Sequence, residues 1–299
     1  MSLTKYVPSP KYEEYKETFK EHFIMEKRDD GVLLVRMHTL GKEAQWSEEL
    51  HRAISQMWQT VGADPEIELV IFTGTGEYWL EKIDNTSWLD EVTDPAYTRY
   101  EHMYYDGRRM LISQAFNTEI PLIGAINGSG PHMEGPLMCD LCIMAEEAVI
   151  IDPHFRIGIV PGDGIQIVLE ELMGTRRAQY MMYTNEVITA EKALKYNLVS
   201  EIMPREKLIG RAYELADLIM KKSRSIRRLT SSVLRKKWRQ LLADNLDGAF
   251  GTEMFGDFTV DGLEHASGDA EALYDNTSEV FPDENRNAVK ENIAKQQEK

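Results

Sequence analysis

The segment Asp152-Pro-His-Phe-Arg-Ile-Gly-Ile-Val-Pro-Gly-Asp-Gly164 contains an imidazole and a carboxylate that could act together as a general base. His154 and Asp163 are nine residues apart, and the glycines and proline between them allow the chain to turn back. A carboxylate beside an imidazole fixes the tautomer and raises the basicity of the ring, so the other nitrogen can deprotonate water. The spacing is also typical of a plain turn in which Asp163 caps a helix, so both interpretations stay open.

Short apolar segments must position this turn, and segments with helical periodicity separate them. This alternation predicts βαβ units with a mainly parallel sheet. After Asp163 the periodicity is helical except for one last strand over 198–203, and beyond Pro204 every periodic segment is helical. The predicted strands are a hairpin over 23–27 and 32–38 and then 69–74, 121–128, 141–145 and 149–152; the predicted helices are 47–61, 95–116, 165–173, 176–183 and 190–196.

The same patterns divide the chain into four parts. We expect an N-terminal arm over residues 1–20, an α/β core over 21–204 and a C-terminal helical layer over 205–261. Residues 262–299 are a strongly polar C-terminal extension, which we expect to fray or to order only against a neighbouring subunit.

The charge of the chain argues against several classes of partner. Acidic residues outnumber basic residues by 50 to 34, and the net charge of −16 disfavours binding to nucleic acid or to an anionic membrane. The sequence shows neither a signal peptide nor an apolar stretch of membrane-spanning length, so we expect a cytoplasmic protein. Thr73-Gly-Thr-Gly76 is too short for a dinucleotide-binding fingerprint.

Two further features have both a functional and an ordinary interpretation. Cys139 and Cys142 form a Cys-x-x-Cys pair, but their neighbours are nearly all apolar, so we interpret both as buried, reduced side chains. A basic cluster over 221–228 and 235–239 could meet the phosphates of coenzyme A. We favour instead a solvated helix face or pairing with an acidic neighbouring subunit.

Five segments carry a resemblance to the crotonase superfamily, the enoyl-CoA hydratase/isomerase family. Val70-Ile-Phe-Thr-Gly74 is similar to its strand before the first loop, and Pro121-Leu-Ile-Gly-Ala-Ile-Asn-Gly128 is similar to its second strand and turn. Met138–Glu146, Gly158–Gly164 and Ile188–Val199 resemble its next strand, its Gly-Pro-Gly turn and its closing helix and strand. The resemblance implies a ClpP-like α/β fold of repeated ββα units with a C-terminal helical layer.

Two loops depart from the usual pattern of this family. In relatives that use coenzyme A, backbone N–H groups of two small-residue loops hold the thioester oxygen. Here the loops read Tyr78-Trp-Leu-Glu-Lys-Ile-Asp84 and Gly128-Ser-Gly-Pro-His-Met-Glu-Gly-Pro136. They resemble the β-diketone hydrolases, a branch typified by 6-oxocamphor hydrolase, which implies a small-molecule substrate and no cofactor.

The resemblance to β-diketone hydrolases implies a retro-Claisen cleavage of a carbon–carbon bond in a cyclic or otherwise bulky β-diketone. His154 with Asp163 would activate the attacking water, and His132 with Trp46 would hold the carbonyl or enolate oxygen. The enolate would take its proton from His154 or from Glu253, which the resemblance places in a C-terminal helix.

Glu134, Trp79 and Trp88 each have more than one interpretation, so they do not decide the substrate class. Glu134 and His154 fall where hydratases keep a pair of catalytic glutamates, so an enoyl-CoA hydratase or isomerase that binds coenzyme A is the alternative. A crotonase-fold oligomer without chemistry is a third reading. Trp79 and Trp88 could line a substrate pocket or could belong to the core. Relatives assemble as trimers or paired trimers, so the resemblance implies a homotrimer or a hexamer.

Overall fold

A six-stranded β-sheet forms the centre of the computed structural model, which describes residues 6–84, 95–256 and 259. The strands are β1 (Phe23–Lys27), β2 (Val32–Met37), β3 (Gln45–Trp46), β4 (Leu69–Gly74), β5 (Lys82–Ile83), β6 (Leu122–Ile126), β7 (Leu141–Ala145), β8 (Val149–Ile150), β9 (Ile188–Thr189) and β10 (Glu201–Met203). The sheet order is β1-β2-β4-β6-β7-β10, with β1 antiparallel to β2 and the remaining pairs parallel. The predicted α/β class with a mainly parallel sheet is therefore confirmed.

The strands form where the sequence is apolar and β-branched. All six residues of β4 are buried, as expected for a parallel strand with both faces covered. The predicted hairpin is confirmed, with its turn at Asp29-Asp-Gly31. The last strand is shorter than predicted, because the Leu198 N–H donates to the carbonyl of Ala193 and still belongs to the end of the preceding helix.

The helices cover the sheet and frame the site. They are α1 (Tyr12–Thr18), α2 (Glu48–Ala63), α3 (Gly107–Asn117), α4 (Glu134–Leu137), α5 (Ile165–Met173), α6 (Thr175–Thr184), α7 (Ala190–Lys195), α8 (Arg205–Met220), α9 (Arg224–Leu234) and α10 (Lys236–Gly256). Ser47 caps α2 as predicted, because its side chain accepts a hydrogen bond from the Leu50 N–H at 3.2 Å.

The segment before α3 differs from the prediction of one continuous α-helix over 95–116. A short helix, Pro95–Tyr97, is followed by a π-helix, Thr98–Asp106. Asp106 Oδ2 lies 2.8 Å from Arg52 Nε on α2. Such tertiary contacts favour a local i→i+5 pattern that hydrophobic periodicity does not encode.

Arginines attach the C-terminal helices α9 and α10 to the sheet. The buried Arg235 donates to the carbonyl of Ile120 at 2.9 Å and pairs with Asp140. Arg227 pairs with Glu68 at the start of β4. Four arginines of the basic cluster thus bind acidic groups or carbonyls of the same chain: Arg227, Arg228, Arg235 and Arg239. The other five basic residues of the cluster are exposed, as predicted for a solvated helix face: Lys221, Lys222, Arg224, Lys236 and Lys237.

Both cysteines behave as predicted. Cys139 and Cys142 are buried and free. Burial raises the pKa of each thiol above its ordinary value, so both are protonated at neutral pH. Among the helices of the described residues, none has the length and apolar content needed to cross a lipid bilayer.

Candidate active site

The loop after β6 carries His132 into the interior of the fold. Gly128 lets this loop pass close to the segment before β5, because a β-carbon there would stand 1.9 Å from the carbonyl oxygen of Glu77. His132 adopts φ 54°, a left-handed conformation that costs a non-glycine residue about 1 kcal/mol. Trp79 Nε1 donates to the His132 carbonyl at 3.0 Å, and this hydrogen bond helps to hold the strained backbone.

The segment between β8 and α5 positions His154 and Asp163. His154 Nδ1 lies 2.6 Å from Asp152 Oδ1, and the His154 backbone N–H donates to the same oxygen at 3.3 Å. Asp163 Oδ1 accepts a hydrogen bond at 3.2 Å from the N–H of Ile165, the first residue of α5. The carboxylate that fixes the tautomer of His154 is therefore Asp152, which corrects the assignment of this role to Asp163.

Asp163 lies between the two imidazoles. Its Oδ2 atom is 3.2 Å from His132 Nδ1 and 3.6 Å from His154 Nε2. The ring centroids of the two histidines are 5.9 Å apart, with the ring planes almost perpendicular. The longer distance exceeds a hydrogen bond, so His154 Nε2 faces Asp163 without being bonded to it. The structure thus brings together His132, His154 and Asp163, which were all predicted as site residues.

Glu253 reaches this cluster from α10, because Gly162 permits a close approach of that helix. A β-carbon at position 162 would stand 2.3 Å from the carbonyl oxygen of Ala249. The Gly162 N–H donates to Glu253 Oε2 at 2.9 Å. Side-chain ligand atoms of Glu253, His154 and Asp163 lie within 4.8 Å of one another, so the buried Glu253 carboxylate stands with the other predicted residues.

Trp46 covers one face of His132. The two rings are stacked, with centroids 3.8 Å apart and an angle of 16° between their planes. His51, in the first turns of α2, packs edge-on against Trp46 at 4.4 Å, and its Nδ1 lies 3.1 Å from the carbonyl oxygen of His102. His51 was not predicted as a site residue; its only signal in the sequence is its position beside the apolar stripe of α2.

Glu134, at the start of α4, completes the polar surroundings of His132. Its Oε1 lies 3.3 Å from His132 Nδ1, so this nitrogen faces the carboxylates of both Glu134 and Asp163. No hydrogen-bond partner for the buried Glu134 Oε2 is found among the residues that the structure describes. We call the six ionisable side chains the central cluster; they are His132, Glu134, Asp152, His154, Asp163 and Glu253.

Burial and charge act in opposite directions on the imidazoles of the central cluster. Burial would lower the pKa of His132, but Glu134 and Asp163 outweigh it and raise the pKa to about 9. Burial also opposes charge at His154, where three carboxylates, with Asp163 foremost, raise the pKa well above 6.5. Both imidazoles are therefore mostly protonated at neutral pH.

Burial and neighbouring charges also act in opposite directions on the pKa values of the carboxylates in the central cluster. Burial would raise the pKa of Asp163, but the neighbouring imidazoles of His154 and His132 hold it far below its usual range. Burial raises the pKa of Glu134, and His132 offsets this effect only in part. Of these two carboxylates, Glu134 is the one that more readily holds a proton.

A small cavity adjoins the central cluster. His132, Glu134 and Gln114 supply its polar wall. Trp79 lines the cavity as well, whereas Trp88, the other predicted pocket residue, lies outside the described residues. The rest of the wall is apolar or aromatic and includes Trp46, Trp58, Phe72, Met110 and Leu111. Such a site suits a small, mostly apolar ligand with a few polar atoms at one end.

Two backbone N–H groups of the loop before β5 donate to carbonyls of neighbouring segments. The Trp79 N–H donates to the carbonyl of Ser129 at 3.0 Å, and the Glu81 N–H donates to that of Ala44 at 2.8 Å. A backbone oxyanion hole requires N–H groups that point at the ligand. These two N–H groups are therefore engaged within the protein and do not point at a ligand.

Two overlapping triads of the central cluster have the spacing of metal ligands. One consists of His132, Glu134 and Asp163, and the other of His154, Asp163 and Glu253. Within each triad the candidate ligand atoms lie within 4.8 Å of one another. Ion pairs between imidazolium and carboxylate produce the same distances, so the geometry by itself does not require a metal ion.

The chain belongs to the enoyl-CoA hydratase/isomerase family, because the model of that family matches residues 27–261. It is similar to a β-diketone hydrolase from the cyanobacterium Anabaena sp. PCC 7120, whose structure was solved with (S)-3-oxocyclohexyl acetic acid bound. The two sequences are 30% identical; the likeness covers 81% of this chain and 96% of that chain, with a TM-score of 0.76. The predicted crotonase superfamily and crotonase fold are therefore confirmed.

Curated relatives include hydratases that act on coenzyme A esters. Crotonyl-CoA hydratase from Syntrophomonas wolfei is 27% identical over 219 residues, which are 71% of this chain and 80% of that protein. Hydroxycinnamoyl-CoA hydratase-lyase from Pseudomonas fluorescens is 25% identical over 197 residues, 65% of this chain and 71% of that protein. The chain is thus an enzyme of the crotonase superfamily whose relatives include more than one reaction class.

Proposed function

We propose that this chain is a hydrolase that cleaves a carbon–carbon bond of a cyclic β-diketone by a retro-Claisen reaction. The observation that carries the proposal is the pair of buried imidazoles that share Asp163 beside an apolar cavity. An imidazole at His154, where hydratases keep a glutamate, suits the activation of water for attack on a ketone. The likeness to the Anabaena β-diketone hydrolase supports the same reaction.

His154 is the proposed base. Asp152 holds Nδ1 as a donor, so Nε2 is the nitrogen that takes a proton from water. Because the pKa of His154 is raised, its neutral form is a stronger base than free imidazole, although it is a minor form at neutral pH. The oxygen of the deprotonated water then attacks one carbonyl carbon and forms a tetrahedral alkoxide.

His132 is the proposed group that stabilises the developing negative charge. It lines the cavity, is protonated at neutral pH and is held in place by the stacked Trp46 ring. A fixed cation at a poorly hydrated wall lowers the energy of an alkoxide or an enolate much more than it would in water. Trp46 lines the same wall and is proposed to contact the substrate beside this oxygen.

Collapse of the alkoxide breaks the carbon–carbon bond and leaves an enolate on the second carbonyl. His154 returns to the enolate carbon the proton that it took from water, so the base is regenerated. A cyclic substrate yields a single keto acid, because the broken bond belongs to the ring. Glu253 sustains the charge of His154 in this cycle, and Glu134 is the second wall residue able to exchange a proton with the substrate.

A panel of cyclic 1,3-diketones in water enriched in oxygen-18 tests the proposal. We expect loss of the enol absorbance and a keto acid that carries one labelled oxygen in its new carboxylate. His154→Gln is expected to lower kcat by about 100-fold or more, because general-base assistance is lost. His22→Gln, a control beside β1, is expected to leave kcat unchanged. A folded protein that turns over no member of the panel would overturn the proposal.

The alternative is an enoyl-CoA hydratase, and the retained Glu134 together with the curated relatives favours it. Hydration of crotonyl-CoA, followed at the thioester absorbance, measures this activity in the same preparation. We expect none above background, because His154 replaces one carboxylate and the Trp79 loop already uses backbone donors. Hydration faster than the hydrolysis of every diketone would establish the alternative instead.

A further inference from the structure

A glutamine on α3 presents a buried hydrogen-bond acceptor. Gln114 is completely buried, and its Nε2 donates to the carbonyl of Gly135 at 2.8 Å and to Cys139 Sγ at 3.6 Å. These contacts fix the orientation of the amide, because the reversed amide would set its oxygen against the Gly135 carbonyl. Within the described part of the chain, Gln114 Oε1 has no hydrogen-bond donor.

This acceptor faces the cavity. A β-carbon added to Gly135 would lie 3.8 Å from Gln114 Oε1 and 3.5 Å from Phe72 Cε1, which are ordinary van der Waals distances. Gly135, Phe72 and Gln114 all line the cavity beside the central cluster. Because an unpaired buried carbonyl is costly, a ligand that donates a hydrogen bond here gains affinity that an apolar ligand does not.

We propose that Gln114 is a substrate-binding residue whose Oε1 accepts a hydrogen bond from a neutral hydroxyl group of the substrate. The inference rests on the proposed function and narrows its substrate class to cyclic β-diketones that carry an alcohol substituent. A neutral donor fits because Trp58, Phe72 and Met110 give this wall little capacity to solvate an ammonium group. The cationic His132 in the same cavity disfavours a second cation further.

Matched ligands test the proposal by calorimetric titration of the wild-type protein. Cyclohexane-1,3-diones with a hydroxymethyl group at ring carbon 4 or 5 are compared with the corresponding ethyl compounds, which have nearly the same size. If the alcohol group donates to Gln114 Oε1, one hydroxymethyl compound is expected to bind about tenfold more tightly than its ethyl counterpart.

Two variants connect the preference for the hydroxyl compound to the amide of Gln114. Gln114→Met keeps the length of the side chain but removes the acceptor, so the preference is expected to disappear. Met110→Leu changes the same wall without removing an acceptor and is expected to keep the preference. If Gln114→Met does not fold, as judged by circular dichroism, the wild-type titrations still decide. Equal affinities of the hydroxymethyl and ethyl compounds in the wild type, or a preference unchanged in a folded Gln114→Met, overturn the proposal.

Turnover separates this inference from the proposed function. A hydroxyl preference in binding without hydrolysis of any dione would support the role of Gln114 and reject the hydrolase. Hydrolysis of diones that bind equally well with and without a hydroxyl group would support the hydrolase and reject the role of Gln114.

Discussion

The protonation of the central cluster is set by an excess of carboxylates. Glu134, Asp152, Asp163 and Glu253 surround only two imidazoles, so carboxylates would still be in excess with both rings charged. This excess raises the pKa values of His132 and His154, while the raised pKa of Glu134 provides a place for a further proton. The neutral, basic form of His154 therefore belongs to the alkaline side of the pH scale.

The dependence of kcat/KM on pH is a first prediction at the scale of the residue. Activity needs neutral His154 and charged His132, so kcat/KM should rise with pH through a midpoint above 6.5 and fall again near pH 9. Initial rates between pH 5 and 10.5, with the diketone best hydrolysed in the panel, measure both limbs. A rising limb with its midpoint at or below 6.5 would contradict the assignment of His154 as base.

Protein stability must be followed over the same range. The pKa of His132 is raised in the folded state, so its contribution to stability is fully present below pH 6.5 and is lost as pH rises through about 9. Tryptophan fluorescence at each pH distinguishes partial unfolding from a true alkaline limb. Only rates measured where the protein is folded report the titration of the site.

Asp152→Asn is a second prediction at this scale. The amide can still accept a hydrogen bond from His154 Nδ1 but lacks the negative charge, so the pKa of His154 falls and the ring becomes a weaker base. We expect kcat to fall by about tenfold or more, KM to change little, and the rising limb of the pH profile to move to lower pH. The exposed Asp217→Asn serves as the control and should leave both unchanged. An unmoved limb would mean that Asp152 is only structural.

The residues of the site were easier to predict from the sequence than the contacts between them. The turn through Gly158 and Gly162 does bring Asp163 towards His154, but the adjacent Asp152 reaches the same ring at 2.6 Å. Spacing could not decide between them, because the outcome depends on the backbone conformation at Asp152-Pro-His. Gln114 was missed for a similar reason, since its only sequence context is a helical segment and its unpaired oxygen appears only after packing.

At the scale of the element, the contact between α10 and the turn before α5 gives a third prediction. Gly162→Ala would set a methyl group 2.3 Å from the carbonyl oxygen of Ala249 and 2.8 Å from the Cβ of Glu253, so α10 must shift. We expect a loss of about 1–3 kcal/mol in the free energy of unfolding and a matching fall in kcat as Glu253 moves away from His154. Urea denaturation and initial rates provide the two measurements.

Gly248→Ala is the matched control on the same helix. Among the residues that the structure describes, nothing lies within 4 Å of the position of its new methyl group, and a glycine in a helix interior is less favourable than alanine. This variant should therefore gain up to about 1 kcal/mol in the free energy of unfolding without a change in kcat. A Gly162→Ala protein as stable as the Gly248→Ala protein would show that the turn tolerates the displacement.

Helices and strands were predictable where periodicity and packing agree. β4 has the predicted bounds, and α2 begins at its predicted cap, because burial on the sheet and local hydrogen bonding favour the same outcome. The π-helix Thr98–Asp106 was not predictable, since its contacts with α2 are tertiary. The orientation of α9 was missed as well, because arginines on an amphipathic helix ordinarily face solvent, and here Arg227 and Arg235 face the core.

At the scale of the whole molecule, α9 directs arginines inward and apolar side chains outward. The packing of a single chain does not explain this orientation. Its arginines bind inward, while Ile226, Leu229 and Val233 are 53, 63 and 73% exposed within the described part of the chain. These three apolar residues recur at helical spacing and so form one outward stripe. Contiguous exposed apolar surface of this kind marks an interaction site, and a second copy of the same chain is the partner that the expected homotrimer or hexamer provides.

We therefore predict that this outward stripe of α9 joins subunits. The wild-type protein should elute with three or six times the mass of one chain in size-exclusion chromatography with light scattering. Leu229→Glu together with Val233→Glu should release monomers, because burying two carboxylates in an apolar contact costs far more than it gains. Gln240→Glu, which adds a charge on the exposed face of α10, should leave the assembly intact. A monomeric wild-type protein would contradict this prediction.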